Sequence, residues 1–184
     1  MNNEIIFETK TKNGKTVSFR YPTINDVEIL KNFINKISLE KTYITFQGEQ
    51  QTLEEETKWL ESVLKNIKEN KCVNILAFIE NKLVASSDIT LKSLVKKHVG
   101  VFGIIVDIDY RGEGIGKLLM ELTISESVKN IKGLKIIELE VFANNPIAFN
   151  LYKKMGFIEF GRLPKGIKHK EKFIDAVLMY KKVK

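Results

Sequence analysis

Apolar residues recur at two different spacings along this chain. Val27, Leu30, Phe33, Ile34 and Ile37 fall three or four residues apart, the spacing of an amphipathic helix. Thr23-Ile24-Asn25-Asp26 resembles a capping box ahead of it, with Thr23 as the cap. Leu53, Trp59, Leu60, Val63, Leu64 and Ile67 predict a second helix, capped by Thr52. Between them, Ser38 to Gln51 is polar with scattered aromatics and reads as a loop or a broken helix. Ahead of both, Glu4 to Thr9 and Thr16 to Tyr21 read as short strands joined through Asn13-Gly14, a strong hairpin signal.

Past Lys71 the pattern changes to strands. Val73 to Ile79 and Leu83 to Leu91 flank a tight turn at Asn81-Lys82. Val99 to Val106 is almost wholly apolar, as expected of a central strand buried on both faces. Ile115, Leu118, Leu119, Leu122 and Val128 mark a helix that ends by Lys132-Gly133. Leu134 to Phe142 is a further strand and Pro146 to Met155 a short helix. Gly156-Phe157 turns into another strand, and Phe173 to Tyr180 is the last. This order predicts an α/β fold with a mixed sheet of about seven strands and flanking helices.

A length of 184 residues without a Pro/Gly/Ser-rich linker or internal repeat predicts one domain over 1–184. A hydrophobic fraction of 43% is enough to build a core. The formal charge of +7 is spread along the chain, densest at Lys165 to Lys172 and Lys181 to Lys184. Neither stretch is interleaved with stacking aromatics, so no nucleic-acid partner is expected. Cys72 is the single cysteine; it rules out an internal disulfide and opens an apolar run, where a small buried hydrophobe is expected. Met1-Asn2-Asn3-Glu4 lacks the charged and apolar regions of a signal peptide, and no apolar stretch approaches a membrane span. A cytoplasmic protein without a membrane partner is expected, as a monomer or homodimer. His98 and His169 are isolated, and no Cys/His/carboxylate set has ligand spacing, so no metal is expected.

The chemistry concentrates after Val106. Arg111, Gly112, Gly114 and Gly116 separate the apolar strand from the next helix. Glycines allow positive φ and close approach of a ligand to the backbone. A helix start adds unpaired N–H groups and the positive end of its dipole. Together they make an anion cradle suited to a pyrophosphate, with Arg111 and Lys117 adding charge at its two ends. A Walker loop would need Gly at 111 and Ser or Thr at 118, where the chain has Arg and Leu. A Rossmann fingerprint starting at Gly112 would need Gly at 117, where the chain has Lys. A purely structural turn would account for the glycines but not for the arginine that leads them.

The segment Val106 to Leu119, containing Arg111-Gly112-Glu113-Gly114-Ile115-Gly116, resembles the acetyl-CoA signature Arg/Gln-x-x-Gly-x-Gly/Ala of the GNAT acetyltransferase superfamily. Leu139 to Phe157, containing Asn145, Ala148, Leu151, Tyr152, Gly156 and Phe157, is similar to the family's next motif. The resemblance covers about Leu76 to Phe160 and departs at Ile108, where the family often has proline. It implies a mostly antiparallel sheet with two central strands that splay apart, and acetyl-CoA as co-substrate. It implies that Arg111 to Lys117 wrap the pyrophosphate and that main-chain groups of Ile104, Ile105 and Val106 bond the pantetheine arm. Ile105 and Val106 would stand nearest the acetyl carbonyl. Asn145 would bond the arm or cap the following helix.

The same resemblance implies that Tyr152 is the general acid toward the departing thiolate. It also places Glu140 as a base acting through water, as in protein N-terminal acetyltransferases of the superfamily. By strand alternation Glu140 faces away from Leu139 and Val141 and shares a face with Glu138. A charge on a buried strand is expensive, which favours a use for it. The expected reaction is direct transfer of acetyl to a primary amine of a small molecule or peptide. The alternative is a non-catalytic acyl-CoA sensor that kept the cradle alone. Two clues to the acceptor oppose each other: the basic 161–179 tail favours an acidic or peptide-like acceptor, and the acidic run Glu49 to Glu56 favours a cation.

Overall fold

Residues 4–183 are described by the computed structural model. The segment Met1 to Asn3 and Lys184, at the end of the second basic stretch, lie outside the described residues. Strands β1 (Ile5–Lys10), β2 (Thr16–Arg20), β3 (Cys72–Ile79), β4 (Lys82–Leu91) and β5 (Val99–Val106) pair consecutively as an antiparallel meander. β6 (Ile136–Phe142) then joins β5 in parallel, and β8 (Lys172–Lys182) lies between β6 and β7 (Ile158–His169). The result is one eight-stranded, mostly antiparallel sheet in the order β1-β2-β3-β4-β5-β6-β8-β7. Its strand count is one above the sequence-based expectation.

Helices α1 (Val27–Leu39) and α2 (Leu53–Lys68) lie on one face, and α3 (Ile115–Asn130) and α4 (Pro146–Lys154) on the other. The start of α2 is fixed by the capping box that its sequence predicts. Thr52 Oγ1 accepts from the Glu55 N–H at 3.2 Å, and the Glu55 carboxylate accepts from the Thr52 N–H at 2.8 Å. At Thr23 the same pattern instead starts one tight turn, Ile24–Asp26, which leads into α1. Arg20 of β2 holds the Asp26 carboxylate there at 2.6 Å.

Every residue of β3 is buried, because it is covered from both sides. Ile75, Ile89, Leu119, Met120, Ile137 and Met179 form the core under α3 and α4. Leu30, Phe33, Ile37, Leu60, Leu76 and Phe78 form the one under α1 and α2. Ile37 and Leu60 are both fully buried, so trimming either to alanine would cost about 2–5 kcal/mol. The two layers clamp β3 to β5 and leave the β5–β6 seam as the place where the sheet can open.

Candidate active site

β5 and β6 pair only at Val99↔Ile136, Gly100↔Ile137 and Val101↔Glu138. Beyond Val101 they part, while β5 stays laddered to β4 as far as Ala85↔Val106. The ladder phase decides which β5 groups are left free. At one end the Lys92 N–H donates to the Val99 carbonyl, and at the other the Asp107 N–H donates to the Val84 carbonyl, both at 2.9 Å. Odd-numbered residues therefore bond β4, and even-numbered ones face β6. Past the parting, Ile104 and Val106 present their main chain to the cleft without a strand partner. Ile105 does not: it sits opposite Ser86 in the β4 ladder, and its side chain packs toward α1 and α2. The groups at the cleft are thus Ile104 and Val106, because register rather than proximity to the glycine turn selects them.

The turn that follows is tied down from two directions. Asp107 is 1% exposed and meets the Lys36 ammonium of α1 at 2.7 Å. Lys36 also reaches Asp109 at 2.7 Å, and hydrogen bonds to the two aspartates hold its ammonium above the usual lysine range. Arg111 donates to the Val106 carbonyl at 2.9 Å and to Glu40 at 2.6 Å, so its guanidinium braces the turn against α1. From the other side, the Lys12 N–H in the β1–β2 hairpin donates to the Glu113 carbonyl at 3.3 Å. The Glu113 side chain is itself buried.

Gly112 and Gly114 adopt φ of +82° and +90°, the left-handed region that glycine enters freely. Gly114 is the N-cap of α3 and provides no side-chain cap. Among the described residues, the N–H groups from Gly112 to Lys117 find no acceptor. A row of unpaired donors at the start of a sixteen-residue helix is an anion site built from main chain. Gly116 has ordinary φ, and a Cβ there would make an ordinary 3.5 Å contact with Val106 Cγ2 of β5. Lys117 is exposed and pairs loosely with Glu121 at 3.6 Å.

Tyr152 of α4 is 8% exposed, packed edge-on to Phe102 of β5 with ring centres 6.1 Å apart. That contact places it on the α3–α4 side of the parted strand. Burial pushes its phenol up to about 12, so it carries its proton throughout the neutral range. Asn145 caps α4, its Oδ1 accepting from the Ala148 N–H at 3.1 Å, ahead of Pro146 at the first helical position. Glu140 is on the opposite face of β6 from Leu139 and Val141, as alternation requires, but it is exposed. The desolvation cost expected of it is absent, because its face of β6 is open to solvent at that position. Glu138 beside it is paired with Lys92.

Three residues to which the sequence assigns no site of their own meet on the α1–α2 face. Glu56, Asn74 and Asp88 line a cavity of about 230 Å3 that also touches Gly103, Ile104 and Ile105. Asn74 and Asp88 are direct cross-strand partners, whereas Glu56 reaches the cavity from α2. Cys72 is buried, and its thiol is pushed up to about 12 mainly by burial, which leaves it inert as a nucleophile. Groups of three or more His, Cys, Asp or Glu placed to hold a metal ion are absent among the described residues, as are helices long and apolar enough to cross a membrane.

A mixed α/β sheet split beside a glycine turn, with that turn feeding a helix N-terminus, is an arrangement able to take an extended, phosphate-bearing ligand through its main chain. The chain belongs to the acetyltransferase (GNAT) family, whose family model matches residues 35–157. It is 31% identical over 101 residues to the [ribosomal protein bS18]-alanine N-acetyltransferase of Escherichia coli (strain K12), covering 55% of this chain and 65% of that one. The matched part is thus just under two thirds of that relative's length. It is 28% identical over 161 residues to an N-alpha-acetyltransferase of Sulfurisphaera tokodaii, covering 82% of this chain and 85% of the relative. Among solved structures, an acetyltransferase of the GNAT family from Streptococcus pneumoniae superposes with a TM-score of 0.83 at 29% identity. That superposition covers 91% of this chain and 99% of the other.

Proposed function

We propose that this chain, as one catalytic domain, is an N-acetyltransferase that passes acetyl from acetyl-CoA directly to a primary amine. The observation that carries this reading is the row of unpaired N–H groups from Gly112 to Lys117 beside the main chain of Ile104 and Val106, which the parting of β6 leaves free. When bound, acetyl-CoA supplies an activated thioester. Gly112 to Lys117 hold its pyrophosphate, and Ile104 and Val106 bond the pantetheine arm, with the Val106 N–H placed to polarise the acetyl carbonyl. The Val106 carbonyl is taken by Arg111, which steadies this end of β5. The side-chain NH2 of Asn145 stays available to the arm because capping uses only its oxygen.

Tyr152 donates a proton to the departing sulfur. A phenol whose pKa is about 12 does so by hydrogen bonding in the transition state rather than by a free proton step. Glu140 takes the amine proton through water, which its exposure permits. Two of the relatives are named a [ribosomal protein bS18]-alanine N-acetyltransferase and an N-alpha-acetyltransferase, and a peptide amine is accordingly one acceptor class to test. The decisive experiment is a panel of peptides and small amines assayed by mass spectrometry for an acetyl-CoA-dependent gain of acetyl, with acetyl-CoA affinity measured by calorimetry. Binding without product or thiol release across the panel would replace this reading with that of an acyl-CoA sensor. No binding would remove both.

A further inference from the structure

The cavity on the α1–α2 face is chemically one-sided. Asn74 is 2% exposed, and its Oδ1 is buried without a donor. Glu56 is 6% exposed, and burial alone pushes its carboxyl up to about 7. Burial likewise raises Asp88 to about 6, outweighing the hydrogen bond that it accepts from Thr90 at 3.1 Å. Among the described residues no lysine or arginine lines the cavity, and Phe46 and Gln51 are what the loop after α1 contributes. Gly103 makes the room: a Cβ there would lie 2.9 Å from Asp88 Oδ1. Leu30, Phe33 and Trp59 supply apolar and aromatic walls.

Buried oxygen acceptors without donors are unfavourable unless a ligand brings the donors. An alkylammonium brings three N–H donors and no acceptor, matching two carboxylates and one amide oxygen. Its methylene chain suits the apolar walls, and aromatic faces favour a cation. An anionic group would meet two carboxylates and is excluded. The cavity also touches Ile104, whose main chain lies at the parting of β5 and β6.

We propose that Glu56, Asn74 and Asp88 seat the ammonium of a linear diamine acceptor, holding one amine while the other is presented at the parted edge of β5. This rests on the acetyl-transfer reading and narrows it to a substrate class. The test titrates 1,5-diaminopentane and the uncharged 1,5-pentanediol into the protein by calorimetry, with and without coenzyme A. The diamine is expected to bind about tenfold or more tighter, the scale of one or two charge-assisted hydrogen bonds. Its affinity should rise between pH 5.5 and 7.5 as Asp88 and Glu56 ionise.

Asp88→Asn and Glu56→Gln should each abolish the preference while leaving acetyl-CoA affinity unchanged. They should also raise the melting temperature of the free protein, since each removes a desolvated carboxylate that faces no cation. Carboxylates with only a structural role would give lower melting temperatures and an unchanged preference. Equal affinities for the diamine and the diol, or a preference that survives both variants, would overturn the proposal. Failure of acetyl-CoA binding would instead remove the acetyl-transfer reading, and the amine titration without coenzyme A would still report on the cavity.

Discussion

Replacing Gly114 with alanine separates the backbone's contribution to the anion cradle from everything else nearby. Gly114 holds φ at +90°, and a Cβ there meets nothing closer than Lys12 Cε at 3.8 Å. The substitution therefore causes no clash, and its cost is conformational: about 1–2 kcal/mol for an L-residue held in the left-handed region. If the turn keeps its shape, that cost appears as lost stability, about 2–8 °C of melting temperature for a chain of this length. If the turn relaxes, the stability returns, but a ligand that needs the original shape must restore it. Acetyl-CoA then binds roughly 5–30-fold more weakly. The melting shift and the affinity loss, expressed as free energies, should together come to the same 1–2 kcal/mol.

Gly116→Ala is the control. Gly116 has ordinary φ, and its added Cβ makes a normal 3.5 Å contact with Val106. Alanine also fits the family signature at this position. It should leave stability unchanged or raise it by up to about 1 kcal/mol. The assays are thermal melts and calorimetric titration of coenzyme A on both variants. Unchanged melting and affinity in Gly114→Ala, or the same response from both variants, would refute the claim that positive φ at Gly114 shapes the cradle.

Tyr152→Phe should lower the turnover number at least tenfold with acetyl-CoA affinity nearly unchanged, read by thiol release against calorimetry, because the lost hydroxyl acts only on the departing sulfur. Lys36→Met leaves the buried Asp107 with Lys82 at 3.8 Å as its one nearby cation, beside the Asp109 N–H at 3.1 Å, and should cost about 1–3 kcal/mol by denaturant titration at pH 7. Because pairing raises the Lys36 pKa, its contribution is fully present below the unfolded-lysine value of about 10.4 and is lost as pH climbs through the higher folded value; the gap between variant and parent should close there. Cys72 should resist alkylation by iodoacetamide at pH 8 in the folded protein and react promptly in denaturant, as mass spectrometry will show.

The strands and helices were legible because their apolar positions repeat at distinct periods, and the glycine turn because its residues are contiguous. What could not be read was set by register or by stacking. The choice of Ile104 and Val106 over Ile105 follows from the phase of the β4–β5 ladder, to which sequence offers no key. Glu140 was expected to bear a burial cost, yet its face of β6 is open to solvent at that position. Glu56 stands in the acidic run that hinted at a cationic acceptor, but its sequence context is a helix's first turn, where exposed glutamates abound. Asp88 lies between Ser87 and Ile89 on an alternating strand and resembles any solvent-facing residue. The β3–β4 register brings Asp88 to Asn74, and only the stacking of α2 on the sheet adds Glu56.

The seam between β5 and β6 has a mechanical consequence. The sheet is two leaves, β1 to β5 and β6-β8-β7, bound along a spine of three residue pairs at Val99 to Val101. A molecule lying in the open part of that seam would bond to one leaf at Ile104 and Val106 and to the other near Asn145, as a clasp across an open book. Hydrogen exchange in β6 and β8 should then slow on coenzyme A binding even at amides the ligand never touches. The substrate of such a protein is also, for as long as it stays, a piece of its architecture.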